Sequence, residues 1–268
     1  MPEGDTIHRL AARLNRAIRH DEIRRCWTAL SDVDDEKVVG AHIAAIEARG
    51  KHLLIHLDVG NIFHIHLGRE GKYRFGMPDD GMPQTQRDSL ILVTQTLSIR
   101  FTHLPIFEYL TAWQYRRHPH LNRLGPDLLA DDLHLKEVVA RFRMYGHQSI
   151  AEAIMNQRIC CGVGNIYKSE VLFLAGLSPR ALVSQLADDT LERLISDARR
   201  WMARNLGTGR RRTRWRPGPS HWVYGRSGER CLKCDAVIRM RRLGEAARST
   251  YFCPNCQSEV PLGRGTRD

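Results

Sequence analysis

Long apolar runs are missing from this 268-residue chain. None approaches the roughly 20 residues that a membrane-crossing helix requires, and the opening residues turn polar within a few positions. A secretory leader and a membrane anchor are therefore not expected, and the chain reads as soluble and intracellular. A disulfide framework is also missing. The seven cysteines are an odd count, and four of them fall in a metal-type pattern instead. No internal repeat is present. Acidic residues are the last shortage: Asp+Glu number 30 against 41 for Lys+Arg, giving a net charge of +11 and a pI near 9.7. That imbalance calls for an anionic partner, either a nucleic acid or a membrane surface. At 30.8 kDa the chain can bury a real core, organised as one large or two modest domains.

What is present begins at the terminus, Met1-Pro2-Glu3-Gly4-Asp5-Thr6. Removal of the initiator before the small Pro2 would expose a secondary amine with a carboxylate beside it. An α-amino group has a pKa of about 8, so a useful fraction is neutral near pH 7. Such an amine can attack a sugar C1′ or an aldehyde to give an iminium electron sink, and Glu3 could move protons as general acid and base. From Asp5 to Arg19, the residues Ile7, Leu10, Ala11, Leu14 and Ile18 follow helical spacing, with Asp5 or Thr6 as the cap.

Residues 38–107 read as short antiparallel strands. Phe63, Ile65 and Leu67 share one strand face, with His64 and His66 on the other, and Gly68 and Gly71 mark the turn that follows. Leu90–Val93 and Leu97, Ile99 and Phe101 read as a hairpin pair. Beyond Pro119–Pro126 the spacing becomes helical, with segments around Leu133–Phe142, Ile150–Ile154, Val171–Leu174 and Leu191–Met202. Gly207–Gly218 is an arginine-rich connector, in which Trp215 suits contact with a nucleic-acid backbone or base. The fold class is α+β and multidomain. An N-terminal β-sandwich with a leading helix is expected over 1–120, a helical domain over 121–222, and a four-cysteine ribbon with a tail over 223–268.

Cys231 and Cys234 enclose two residues, Cys253 and Cys256 do the same, and 18 residues separate the pairs. Two tight turns of this kind complete a tetrahedral four-sulfur site for one Zn²⁺, closed to substrate and therefore structural. Cys26, Cys160 and Cys161 read as small buried residues. Between the pairs, Arg239, Arg241, Arg242 and Arg248 make the ribbon basic, a candidate groove-inserting element or a solvated face. Gly162–Gly164 is a glycine turn running into a helix, whose free N–H groups favour phosphate, and Asn165 could cap that helix or donate to a phosphate oxygen. Lys51, at the entry to an apolar strand, is by itself an ordinary surface charge.

Taken together, Pro2-Glu3-Gly4, Arg49-Gly50-Lys51, Gly164-Asn165-Ile166-Tyr167-Lys168-Ser169-Glu170, Val223-Tyr224-Gly225-Arg226 and Arg248-Ser249-Thr250-Tyr251-Phe252-Cys253-Pro254 stand in an order that resembles the formamidopyrimidine-DNA glycosylase/endonuclease VIII family nearly end to end. The Pro-Glu-Gly start leans to the endonuclease VIII branch, in an actinobacterial style.

The resemblance implies a bifunctional DNA glycosylase and abasic-site lyase acting on damaged DNA. Pro2 would be the nucleophile and Glu3 the general acid and base. Lys51, Asn165 and Arg248 would hold phosphates around an extruded nucleotide, and residues 162–170 would belong to a helix–two-turn–helix element. Oxidised pyrimidines are the expected substrates. Formamidopyrimidines with 8-oxoguanine, or damage binding without catalysis, are the rivals. A monomer in the bacterial cytoplasm, associated with the nucleoid, is implied. One departure concerns the residue that fills the gap after extrusion: the turn Leu67–Gly71 carries neither the methionine nor the Gln-Leu-Tyr wedge of relatives, so Arg69 or another loop is expected to fill it.

Overall fold

The computed structural model describes residues 2–78, 84–207 and 209–257; Met1 and the tail after Gln257, which the sequence reading included, lie outside them. The chain divides into two compact units, 1–123 and 124–268.

The first unit opens with helix α1 (Gly4–Ile18). Ile7, Leu10, Ala11, Leu14 and Ile18 form its buried stripe, as their spacing predicts. Its N-cap is Glu3 rather than Asp5 or Thr6. The Glu3 carbonyl accepts from the Thr6 and Ile7 N–H groups at 2.9 and 3.3 Å, and Asp5 is buried inside the first turn. Eight strands and two short helices follow: β1 (Ile23–Thr28), α2 (Asp35–Val38), β2 (Ile43–Arg49), β3 (His52–Leu57), β4 (Asn61–His66), β5 (Lys72–Gly76), β6 (Asp88–Thr94), β7 (Ser98–Thr102), β8 (Ile106–Thr111) and α3 (Ala112–Arg116).

They pair antiparallel into two four-stranded sheets, ordered β1-β6-β7-β5 and β2-β3-β4-β8. Leu53, Ile55, Phe63 and Ile65 of one sheet and Leu90, Leu92, Ile99 and Phe101 of the other close on a single core with the α1 stripe. This is the expected sandwich. The β6–β7 hairpin is present, with Leu92 opposite Ile99.

The second unit is helical: α4 (Leu135–Arg143), α5 (Ile150–Ala153), α6 (Asn165–Leu174) and α7 (Asp188–Ala203). Val138, Phe142, Ile150, Tyr167, Leu172, Leu194, Ile195 and Met202 share its core. Asn165 does not cap α6, since Gly164 holds the N-cap position and Asn165 is the first helical residue. The hairpin of β9 (Arg239–Leu243) and β10 (Arg248–Phe252) then packs beside the four cysteines and a small core of Phe173, Val223 and Ile238.

The arginine-rich connector is tied down. Trp215 stacks on Trp201 of α7 at 5.3 Å between ring centroids, and the Arg204 guanidinium lies 4.1 Å from the Trp215 ring centre. The ring expected to meet nucleic acid is thus engaged in packing within the protein, although it stays 38% exposed.

Candidate active site and candidate metal centre

Pro2 is half-buried and Glu3 fully buried, at the point where α1 begins. Carboxylates are seldom so enclosed unless paired. The free N–H groups of a helix's first turn favour negative charge at this end. Glu3 is therefore an acidic side chain enclosed by the fold directly beside Pro2, at the end of α1 where the helix favours negative charge.

Lys51 occupies a two-residue hairpin loop. Arg49 pairs with His52, and Gly50 takes a left-handed φ of 60° at the first loop position, which favours glycine. Because His52 lies opposite His66 on β4, the loop carrying Lys51 and the turn after β4 share one sheet edge. That turn depends on its glycines. A Cβ on Gly71 would stand 2.2 Å from the Leu67 carbonyl oxygen, and one on Gly68 (φ 57°) would stand 2.5 Å from Pro105 Cγ. Arg69 sits exposed at its tip.

Beneath this edge runs a chain of hydrogen bonds that the alternation of histidines did not reveal. The Leu121 N–H donates to His118 Nδ1 at 3.1 Å, so the His118 proton sits on Nε2 and is given to Glu108 Oε2 at 2.9 Å. His64 Nδ1 gives its proton to the same oxygen at 2.6 Å, and His52 Nδ1 lies 2.8 Å from His64 Nε2. Burial, then the neighbouring His66, His64 and Lys51, push His52 down to about 2. Burial, then Lys51 and His64, push His66 down to about 4. Burial outweighs Glu108 in lowering His64. For Glu108, burial raises the carboxyl, but the His64 and His118 bonds prevail and hold it low. His64, Glu108 and His118 are also close enough to hold a metal. The proton that the Leu121 N–H forces onto His118 Nε2 closes that lone pair to a cation.

These neutral imidazoles make stability depend on pH. Their folded values lie below the free value near 6.5. Below pH 6.5 the unfolded chain therefore takes up protons that the folded chain refuses. Stability conferred by the sandwich should fall with falling pH from 6.5 towards 4, by about 1.4 kcal/mol per pH unit each for His52 and His66. Native-state hydrogen exchange of the β3 and β4 amides at pH 7 and pH 5 measures this. In His52→Gln the pH slope should drop by one histidine's share, and an identical slope would refute the assignment.

In the second unit, α6 is buried on every side, and each of its polar residues has a partner. Glu170 is fully buried. Its Oε1 accepts from the Val223 and Tyr224 N–H groups at 2.8 and 2.7 Å, and its Oε2 accepts from the Trp222 N–H at 2.8 Å and from the Thr213 hydroxyl. One carboxylate thus shapes the loop leading into the ribbon. Arg226 continues the same loop: it pairs with Glu229 and donates to the Trp222 and Arg230 carbonyls, so it is structural. Glu170→Gln would aim an NH₂ at N–H donors and should destabilise this unit by about 2–4 kcal/mol. Urea unfolding followed by Trp222 fluorescence checks this, and an unchanged midpoint would contradict it.

Sequence reasoning quoted Lys168 and Glu170 within a motif and gave them no task. The signal was available. Residues two apart on a helix point about 200° apart, so in a helix this apolar no single wet face can serve both.

Asn165 and the hairpin are brought together, with Asn165 Nδ2 3.4 Å from Ser249 Oγ, next to Arg248. Arg248 opens β10 and is exposed. The four cysteine sulfurs lie within 4.8 Å of one another, with neighbouring pairs at 3.3, 3.4 and 3.9 Å. A tetrahedron of ~2.3 Å Zn–S bonds has edges of about 3.8 Å, so this donor set fits one structural zinc. The Lys233 and Cys256 N–H groups each donate to a cysteine sulfur at 3.4 Å. The Ala236 N–H and then the Asn255 side chain lower Cys234 to about 6, whereas burial raises Cys253 and Cys256, so it is the donor geometry that carries the zinc assignment. Cys160 and Cys161 are fully buried, as their reading requires, whereas Cys26 is only partly buried.

A sandwich led by a buried Glu3, a helical unit and a four-cysteine hairpin together define a zinc-stabilised α+β protein with its candidate chemistry at the N-terminus. The formamidopyrimidine-DNA glycosylase N-terminal domain model matches residues 1–107, the formamidopyrimidine-DNA glycosylase H2TH domain matches 124–216, and the zinc finger found in FPG and IleRS matches 228–258. The chain is 34% identical to the DNA-(apurinic or apyrimidinic site) lyase Nei2 of Mycolicibacterium smegmatis, covering 96% of this chain and 99% of that one. It is 32% identical to a probable endonuclease 8 2 of Streptomyces coelicolor, covering 96% and 94%. It is also 32% identical to a formamidopyrimidine-DNA glycosylase of Laribacter hongkongensis, covering 96% and 98%. The formamidopyrimidine-DNA glycosylase of Lactococcus lactis, solved with abasic-site DNA, superposes with a TM-score of 0.81 at 23% identity over 96% of this chain and all of that one. The chain belongs to the formamidopyrimidine-DNA glycosylase/endonuclease VIII family.

Proposed function

We propose that this protein is a bifunctional DNA glycosylase and abasic-site lyase of base excision repair that prefers oxidised pyrimidines. The observation that carries this reading is the enclosed Glu3 carboxylate at the start of α1, adjoining Pro2. With Met1 removed, the Pro2 nitrogen forms a bond to C1′ of the damaged nucleotide, and the base leaves with the glycosidic electron pair. Glu3 takes the proton that the Pro2 nitrogen sheds on bonding to C1′ and passes it to O4′ as the sugar ring opens. The resulting iminium acidifies the C2′ proton; its loss breaks the C3′–O bond, and a second elimination breaks C5′–O. Lys51, Asn165 and Arg248 hold flanking phosphates, and Arg69 at its turn tip fills the gap left by extrusion. The protein works as a monomer in the cytoplasm, with the nucleoid as its target. Among the described residues, no helix is long and apolar enough to cross a membrane.

The names of relatives support the lyase chemistry, and the Pro2-Glu3-Gly4 start supports the pyrimidine preference. Strand scission on duplexes carrying thymine glycol, dihydrouracil or 8-oxoguanine opposite cytosine tests that preference. Faster cutting at the two pyrimidines is expected. Efficient 8-oxoguanine release without thymine glycol activity would reverse it.

A further inference from the structure

Asn165 and Arg248 come from different elements, the start of α6 and the first residue of β10, so their joint use on DNA needs something that fixes one against the other. Lys168 stands one turn beyond Asn165 and is only 1% exposed. Its Nζ donates to Asn165 Oδ1 at 3.1 Å and to the Ser249 carbonyl at 3.0 Å. The ammonium thus grips the phosphate-contacting asparagine and the backbone next to the phosphate-contacting arginine together. A second stitch lies beside it, where the Tyr251 N–H donates to Ser169 Oγ at 3.3 Å and that hydroxyl donates to the Asn165 carbonyl at 3.0 Å.

The grip also sets a polarity. An ammonium has donors only, so the Asn165 atom facing it must be the carbonyl oxygen. The amide NH₂ is then turned towards Ser249 Oγ, 3.4 Å away, with a second hydrogen left for an outside acceptor. Reversing the amide would set NH₂ against NH₃⁺. Without the lysine, that orientation loses its bias, and the Asn165 and Ser249 carbonyl oxygens both lose a charged donor.

We infer that Lys168 is a positioning residue, whose buried ammonium presents Asn165 with its amide donors outward and holds Arg248 beside it, so that the pair meets DNA as one unit. This rests on the DNA-binding reading proposed above. Lys168 contributes through Asn165 and the β10 backbone rather than as a phosphate contact. A cavity of about 280 Å³, bordered by Glu152, Met155, Lys168 and Arg248, lies alongside and gives a guanidinium room at this position.

The test is binding of full-length, zinc-loaded protein to a duplex holding one uncleavable abasic-site analogue, between 50 and 200 mM salt. Lys168→Met should weaken binding about 10- to 100-fold, the worth of charge-assisted hydrogen bonds, while leaving the slope of log K against log salt unchanged. Arg248→Ala should flatten that slope by about 0.9, as the loss of one phosphate contact does. Lys168→Arg should recover most of the affinity. Lys168→Met combined with Asn165→Ala should lose clearly less than the sum of the two single losses, because part of the lysine's effect passes through the asparagine and only the part through the Ser249 carbonyl remains.

Should the methionine variant lose its zinc or its fold, Lys168→Gln, which keeps a donor without the charge, carries the same comparison. Unchanged affinity, additive losses in the double variant, or a slope flattened as in Arg248→Ala would each overturn the inference while leaving the DNA reading intact. A wild-type protein without salt-dependent affinity, indifferent to Asn165→Ala and Arg248→Ala, would overturn the DNA reading and this inference with it.

Discussion

Borohydride treatment of the protein on an oligonucleotide with one abasic site should yield a covalent adduct, and Pro2→Gly should remove most or all of it. A secondary amine condensing with an aldehyde can form only a cationic iminium, which stays a strong electron sink. A primary amine forms an imine that can shed its charge, and glycine also loosens the chain where α1 starts. Retention of Met1, or a tag fused ahead of Pro2, should abolish trapping altogether because the attacking nitrogen becomes an amide. Glu3→Gln keeps the shape but cannot carry the proton, and should slow base release by 10²- to 10⁴-fold, the usual worth of a placed general acid–base group. Undiminished trapping in Pro2→Gly would redirect the assignment to a lysine, with Lys51 the first to replace.

Removing zinc should have the second large effect. The core around the cysteines consists of Phe173, Val223, Ile238 and the buried Cys231 and Cys253, far too little apolar area to stand alone. Structural zinc sites contribute on the order of 10–16 kcal/mol of apparent binding energy that is in effect folding energy. Chelation, or Cys253→Ala, should therefore melt β9 and β10, release Arg248, and reduce DNA affinity at least about 100-fold. Hydrogen exchange should show β10 amides losing protection while β3 and β4 keep theirs, since the sandwich has its own core. Full DNA affinity with a protected β10 in metal-free protein would refute the role of zinc in recognition.

Much of this was legible in the sequence because it depends on local spacing. The cysteine pairs, the α1 stripe, the β6–β7 hairpin and the glycine turn after β4 are all written within a few residues of one another. What stayed hidden depends on partners far away in the chain. β1 was missed because Ile23–Thr28 carries two arginines and has no clean alternation; its pairing with β6 makes it a strand. His64 lies on the strand face opposite Phe63 and Ile65, as the alternation predicts, yet it is buried, because Glu108 and His118 arrive from residues more than 40 positions on. Trp215 looked free for stacking until Trp201 and Arg204 took its faces. The cap of α1 fell two residues earlier than the nearest capping side chain suggested, because backbone geometry rather than a side-chain bond starts that helix.

The helix that carries Lys168, Ser169 and Glu170 points three consecutive polar side chains to three destinations: the Ser249 carbonyl, the Tyr251 amide, and the backbone of residues 222–224. Such an element works like a key whose teeth are cut at fixed angles. Each residue added or deleted in the first helical turn of α6, at 165–167, would rotate those teeth by about 100° relative to the residues before it and disengage all three together, whatever the identity of the added residue. The rotational phase of α6 is therefore the quantity the fold holds most tightly. The length of that turn should tolerate less change than the chemistry of any single residue within it.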